Sequence, residues 1–131
     1  MIAPATIKKV FLLLAALTIF PVAGLYGIAP NWFASTVLGI ATPYPNLAHI
    51  LRAMMFLYFG FGIFWIYAAF NPPYRNPALF TVMLFPAGLV VGRIISYFID
   101  GTPSPLLHFY LVLELIQAPL AWWAFRLKDG A

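Results

Sequence analysis

Apolar residues run almost unbroken over residues 10–29, 46–70, 78–99 and 106–125, and polar residues fall mainly between these runs. Each run holds roughly 20 residues or more, which at about 1.5 Å of rise per residue spans a hydrocarbon core of about 30 Å. The pattern predicts an all-α membrane protein: a four-transmembrane-helix bundle forming a single membrane domain over residues 1–131. Asn46 after Pro45 reads as an N-cap, Asn71-Pro72-Pro73 as a stop, and Pro77 as the residue after which the third helix begins. Asp100-Gly101-Thr102-Pro103 reads as the end of that helix, and Ser104-Pro105 as the start of the fourth. The uncharged stretch 30–45, with Trp32, Pro43, Tyr44 and an apolar piece over 33–40, predicts a folded outer connector at the membrane interface. A cleaved signal peptide competes for the first run, with Lys8-Lys9 ahead of it and Val22-Ala23-Gly24 as the cleavage site. The apolar stretch continues through Leu25, Tyr26 and Ile28, too long for that reading.

Composition strengthens the class. Hydrophobic residues make up 64% of the chain and charged residues 8%, against roughly 25% charged in soluble domains. With no cysteine, thiolate metal sites, iron–sulfur ligation and cysteine nucleophiles are excluded. The net charge of +4 is not a nucleic-acid stripe, because Lys8, Lys9, Arg75, Arg126 and Lys128 flank apolar runs. All five fall on one face of an up-and-down bundle, and the 31–45 and 100–105 connectors carry no Lys or Arg. Both termini are therefore expected to be cytoplasmic, in a multi-pass membrane protein, with Trp122, Trp123 and Tyr74 in the aromatic belt on that side.

Three ionisable residues remain inside the runs: Arg52, Arg93 and Glu114. Uncompensated burial of such groups costs several kcal/mol, so each marks a candidate site. Counted from the outer ends, the arginines lie about 9 Å deep and Glu114 about 12 Å deep, which predicts one charged layer in the outer half of the bundle. His49 shares a face with Arg52; Arg93, Ser96 and Asp100 share another; Tyr110, Glu114, Gln117 and Ala121 share a third. One reading is architectural, with Arg93 pairing Asp100 and Arg52 pairing Glu114 to hold helices in register. The other is a ligand pocket of Arg52, Arg93, Glu114, His49, Asp100, Ser96 and Gln117, net positive and suited to a phosphate, a carboxylate or a quinone carbonyl.

His49 and His108, both near outer helix ends, are candidates to ligate a haem or a chlorophyll-type pigment, and no metal site is expected from one carboxylate without cysteine. Gly88, Gly92 and Ser96 form a small-residue ridge that predicts a close helix contact. Pro21, Pro86 and Pro119 fall within helices, where each frees a carbonyl and permits a kink.

Several segments carry a resemblance: Gly24-Leu25-Tyr26-Gly27 with Pro30, the stretch 46–53, Phe70-Asn71-Pro72, Gly92-Arg93-Ile94-Ile95-Ser96 leading to Asp100-Gly101, Pro103-Ser104-Pro105, and Glu114-Leu115. Through them nearly the whole chain resembles a family of small bacterial inner-membrane proteins of unknown function, DoxX-like in architecture. The resemblance implies a four-helix bundle and leaves activity open.

The leading functional expectation is a non-enzymatic module, either an accessory subunit of a larger membrane complex or a binder of a lipid or lipophilic cofactor. The chain has no phosphate-binding glycine loop, no metal-ligand motif and little extramembrane sequence for a soluble substrate. Two alternatives remain. One is an isomerase-type enzyme on a lipophilic substrate, with Glu114 shuttling a proton beside His49 or His108 and the arginines stabilising negative charge. The other is a small transporter. Expected partners are membrane lipids and either a larger membrane complex or further copies of the chain, with no nucleic acid.

Overall fold

The structure is a computed structural model that describes residues 2–41 and 45–128. Five helices follow in order, and no strand occurs among the described residues: α1 (Pro4–Gly27), α2 (Pro30–Thr36), α3 (Pro45–Ala69), α4 (Pro72–Ile99) and α5 (Pro105–Arg126). All but α2 are long and apolar enough to cross a membrane, as in a multi-pass membrane protein. Every one of the five begins on a proline. The first N–H groups of a helix have no intrahelical acceptor, so proline's missing donor costs nothing there, and its fixed φ is already helical.

This habit explains where the helices depart from the expected boundaries. α1 begins at Pro4 instead of residue 10, and α4 begins at Pro72 instead of residue 78, carrying Pro77 inside the helix at the loss of one backbone bond. α3 begins at Pro45 itself, so Asn46 lies within the helix and is not its N-cap. Ser104 does occupy the N-cap position of α5, but its hydroxyl makes no capping bond; its carbonyl accepts from the Leu107 and His108 amides. α4 ends at Ile99 with Asp100 as its C-cap, and Gly101 turns the chain with φ +92°, a conformation that favours glycine. The outer connector contains α2, whose Phe33 is fully buried against Tyr26; Pro43 and Tyr44 lie outside the described residues.

α1 packs mainly on α3, and α4 mainly on α5. In the first pair, a Cβ at Gly27 would come within 2.5 Å of Met55 Cβ, and one at Gly62 within 2.8 Å of the Phe20 ring, so glycine sets the helix separation. The pairs join where Trp65 Nε1 donates to Thr81 Oγ1 at 2.9 Å and Tyr58 meets Phe85 edge-on at 4.8 Å.

The starts of α1 and α4 and the ends of α3 and α5 share one end of the bundle, which carries the five expected basic residues. Lys9 lies over the Phe70 ring, Arg126 lies over Trp122, and Phe80 of α4 meets Phe125 of α5. The Arg75 guanidinium donates twice to the Ala69 carbonyl and so caps the C-terminus of α3. Lys8 is not a solvated flank charge: it is wholly buried and donates to Asn76 Oδ1 at 2.6 Å, because α1 extends past it.

Candidate functional site

Arg93 on α4 and Glu114 on α5 meet in the half of the bundle away from the basic end. Arg93 Nε donates to Glu114 Oε2 at 2.9 Å and to Oε1 at 3.3 Å, and its Nη2 donates to Oε1 at 3.1 Å. A forked contact of this kind fixes both planes as well as neutralising both charges. The side chains are 19% and 11% exposed, so the pair lies within the protein and not on the lipid-facing surface.

Three tyrosines surround it. Tyr26 of α1 stands 5.9 Å from Tyr58 of α3 and 5.8 Å from Tyr110 of α5, ring centroid to ring centroid, and all three are buried. The Tyr110 hydroxyl has no hydrogen-bond partner among the described residues. A buried hydroxyl left unpaired costs about 1–3 kcal/mol, so this is a donor awaiting an acceptor.

Two hollows meet at this layer. The larger, about 610 Å³, opens at the far end and is lined by Tyr26, Phe33, Leu51, Tyr58, Leu89 and Arg93, with Ser96, Tyr97, Asp100 and Thr102 nearer its mouth. The smaller, about 50 Å³, lies on the Glu114 side, against Tyr58, Leu89, Tyr110 and Gln117. Tyr58 and Leu89 line both, and the ion pair stands between them with Arg93 toward one and Glu114 toward the other.

The expected layer is thus only partly assembled. Arg93, Ser96 and Asp100 do line one cavity, but Arg93 pairs with Glu114 and not with Asp100. Arg52 does not reach Glu114: it is exposed, its Nε donates to the Gly27 carbonyl at 3.4 Å, and with His49 it lines a separate groove on the outside of α3. The layer therefore holds one cation and one anion, with the Asp100 carboxylate at the mouth of the larger cavity, and is not the net positive site expected of two guanidiniums.

Gln117 has a backbone partner. Its Nε2 donates at 3.4 Å to the Val82 carbonyl, the one left without an intrahelical donor by Pro86 four residues later. The two histidines do not share a site, since His108 Nδ1 hydrogen-bonds the Tyr97 hydroxyl between α5 and α4 while His49 lies on the outer groove of α3. The Gly88–Gly92–Ser96 ridge makes no close helix contact among the described residues. A Cβ on either glycine would meet nothing within 4 Å, and the ridge forms the cavity wall instead.

Tyr26 and Tyr58 were not among the residues expected at the site. Tyr26 had a signal, as the one tyrosine in the first apolar run, whereas Tyr58 is hidden among the many aromatic residues of α3.

Compared with known protein families, residues 7–125 match the family described as domain of unknown function (DUF4345), and the chain belongs to it. No curated protein and no solved structure matches the chain.

Proposed function

We propose that this member of the family is a binding module for a small neutral lipophile, held in the far-end cavity with its polar group on the Arg93–Glu114–tyrosine layer. The observation that carries the reading is the cavity of about 610 Å³ with aromatic and aliphatic walls and Arg93 among its lining residues. That size lies within the range of about 300–1,000 Å³ usual for small-molecule sites, and so does the mix of apolar lining with few polar groups.

The charge balance sets the ligand class. Arg93 is already neutralised by Glu114, and Asp100 adds negative charge at the mouth, so a carboxylate or phosphate entering the cavity would meet no uncompensated cation. A carbonyl or hydroxyl needs no counter-charge, and Tyr26, Tyr58 and Arg93, which line this cavity, carry donors for it. In the membrane we place the basic end at the cytoplasmic face of a bacterial inner membrane and the cavity mouth on the other side, since the five flanking cations gather at one end. The DoxX-like resemblance belongs to this same reading.

Thermal unfolding of the detergent-purified protein tests the ligand class with two probes of similar length, 2-tridecanone and dodecanoate. The ketone raises the melting temperature with concentration, dodecanoate does not, and Gly92→Trp, which fills the cavity, abolishes the effect. Stabilisation by dodecanoate alone would overturn the proposal.

A further inference from the structure

The outer face of α3 carries a second feature, independent of the cavity. Pro45, Ala48, His49, Arg52, Ala53 and Phe56 line a groove of about 520 Å³. Their spacing of i, i+3, i+4, i+7, i+8 and i+11 is a single helical stripe. The stripe is graded: helix start, imidazole and guanidinium at the top, Ala53 and Phe56 below. A second hollow on the same helix shares Phe56 and is lined further by Leu57, Gly60, Phe61 and Phe64, and Gly60 leaves it open, since a Cβ there would meet nothing within 4 Å among the described residues.

Arg52 lies within a span, and its one hydrogen bond goes to the Gly27 carbonyl. Among the described residues no carboxylate pairs with it, because Glu114 is taken by Arg93 and Asp100 lines the cavity mouth. A lipid-facing guanidinium at that depth needs an anion, and its long side chain lets it reach toward the interface. His49, one turn nearer the helix start, and the positive end of the α3 dipole favour the same sign of ligand.

We propose that this stripe is a site for one anionic phospholipid in the leaflet at the far end, with its phosphate on Arg52 and His49 and an acyl chain along Ala53, Phe56 and Gly60. From Pro45 to Phe56 the groove runs about 16 Å at the helical rise per residue, close to half of a hydrocarbon core of about 30 Å, as a lipid in one leaflet requires. The guanidinium offers two further N–H-bearing nitrogens in a fork that matches a phosphodiester.

Native mass spectrometry of the delipidated full chain, titrated with phosphatidylglycerol or with the diacylglycerol of the same chains, tests the site. Phosphatidylglycerol should bind about tenfold or more tightly than diacylglycerol, the worth of a charge-assisted hydrogen bond. Arg52→Gln should reduce it to the diacylglycerol level, and Arg52→Lys should restore part of the difference. Ala53→Trp, which blocks the groove and leaves the charge, gives the same loss and keeps the test decisive if Arg52→Gln does not fold. Equal binding of the two lipids, undiminished phosphatidylglycerol binding by Arg52→Gln or Ala53→Trp, or a loss confined to Arg93→Gln would overturn it.

Discussion

Small residues work in opposite ways at the basic end of this bundle and along the cavity wall of α4. At the basic end Ala68, Ala69, Ala78, Ala121 and Ala124 are fully buried beside Trp65, Leu79 and Val82, so small side chains let the helices close on a filled core. At the far end Gly88 and Gly92 face open space, and the same economy of side chain makes a hollow. The Arg93–Glu114 pair lies in that hollow half, above the packed one. A packed base that holds the polar layer steady while the other half stays open suits a receptor for small molecules.

The sharpest way to break this division is to remove the carboxylate at the layer. Glu114→Ala leaves the Arg93 guanidinium buried without a partner and should cost about 3–5 kcal/mol, whereas replacing both by methionine should recover most of that loss, as read from thermal unfolding in detergent. Next comes the core of the packed half, where Trp65→Ala should cost about 3–5 kcal/mol through the cavity it leaves and the Thr81 bond it removes. Comparable truncations at Leu89, on the cavity wall, should cost less.

Glycine substitutions sharpen the comparison further. Gly27→Ala would drive a methyl into Met55 and should destabilise by about 1–3 kcal/mol. Gly92→Ala meets nothing and should be neutral or stabilising by up to about 1 kcal/mol through helix propensity. Gln117→Leu is expected to cost about 0.5–1.5 kcal/mol for a lost hydrogen bond. Pro86→Ala restores the backbone donor to the Val82 carbonyl, so a double-mutant cycle should show the Gln117 effect shrinking in its presence.

Much of this molecule could be read from the chain before its folding was known. The four long apolar runs specify the four membrane helices because a span must satisfy its backbone internally over a fixed thickness. The boundaries shifted at Pro72, which reads as a stop where it is a start, since a break and a beginning look alike in one dimension. They shifted also at the first run, where Lys8-Lys9 reads as a flank although α1 already begins at Pro4.

Arg93 and Glu114 stood out in the sequence as candidates because an ionisable group inside a span has few innocent explanations. Their pairing was not, since depth along a helix says nothing about rotation around it. Arg52 and Arg93 stand at matching depths, yet one faces the outside of α3 and the other the inside of the bundle. Tyr58 was lost for a related reason: α3 carries aromatics on every face, and only packing shows which of them turns inward.

The central claim is that the open half holds a small neutral lipophile. Native mass spectrometry on protein extracted gently from its own membrane addresses it most directly, comparing the natural chain with Gly92→Trp and Gly60→Trp. The account predicts a phosphorus-free adduct on the natural chain that is kept by Gly60→Trp, which alters only the outer groove, and lost in Gly92→Trp, which fills the cavity. Its presence in Gly92→Trp, or a natural chain carrying phospholipid alone, would contradict the account.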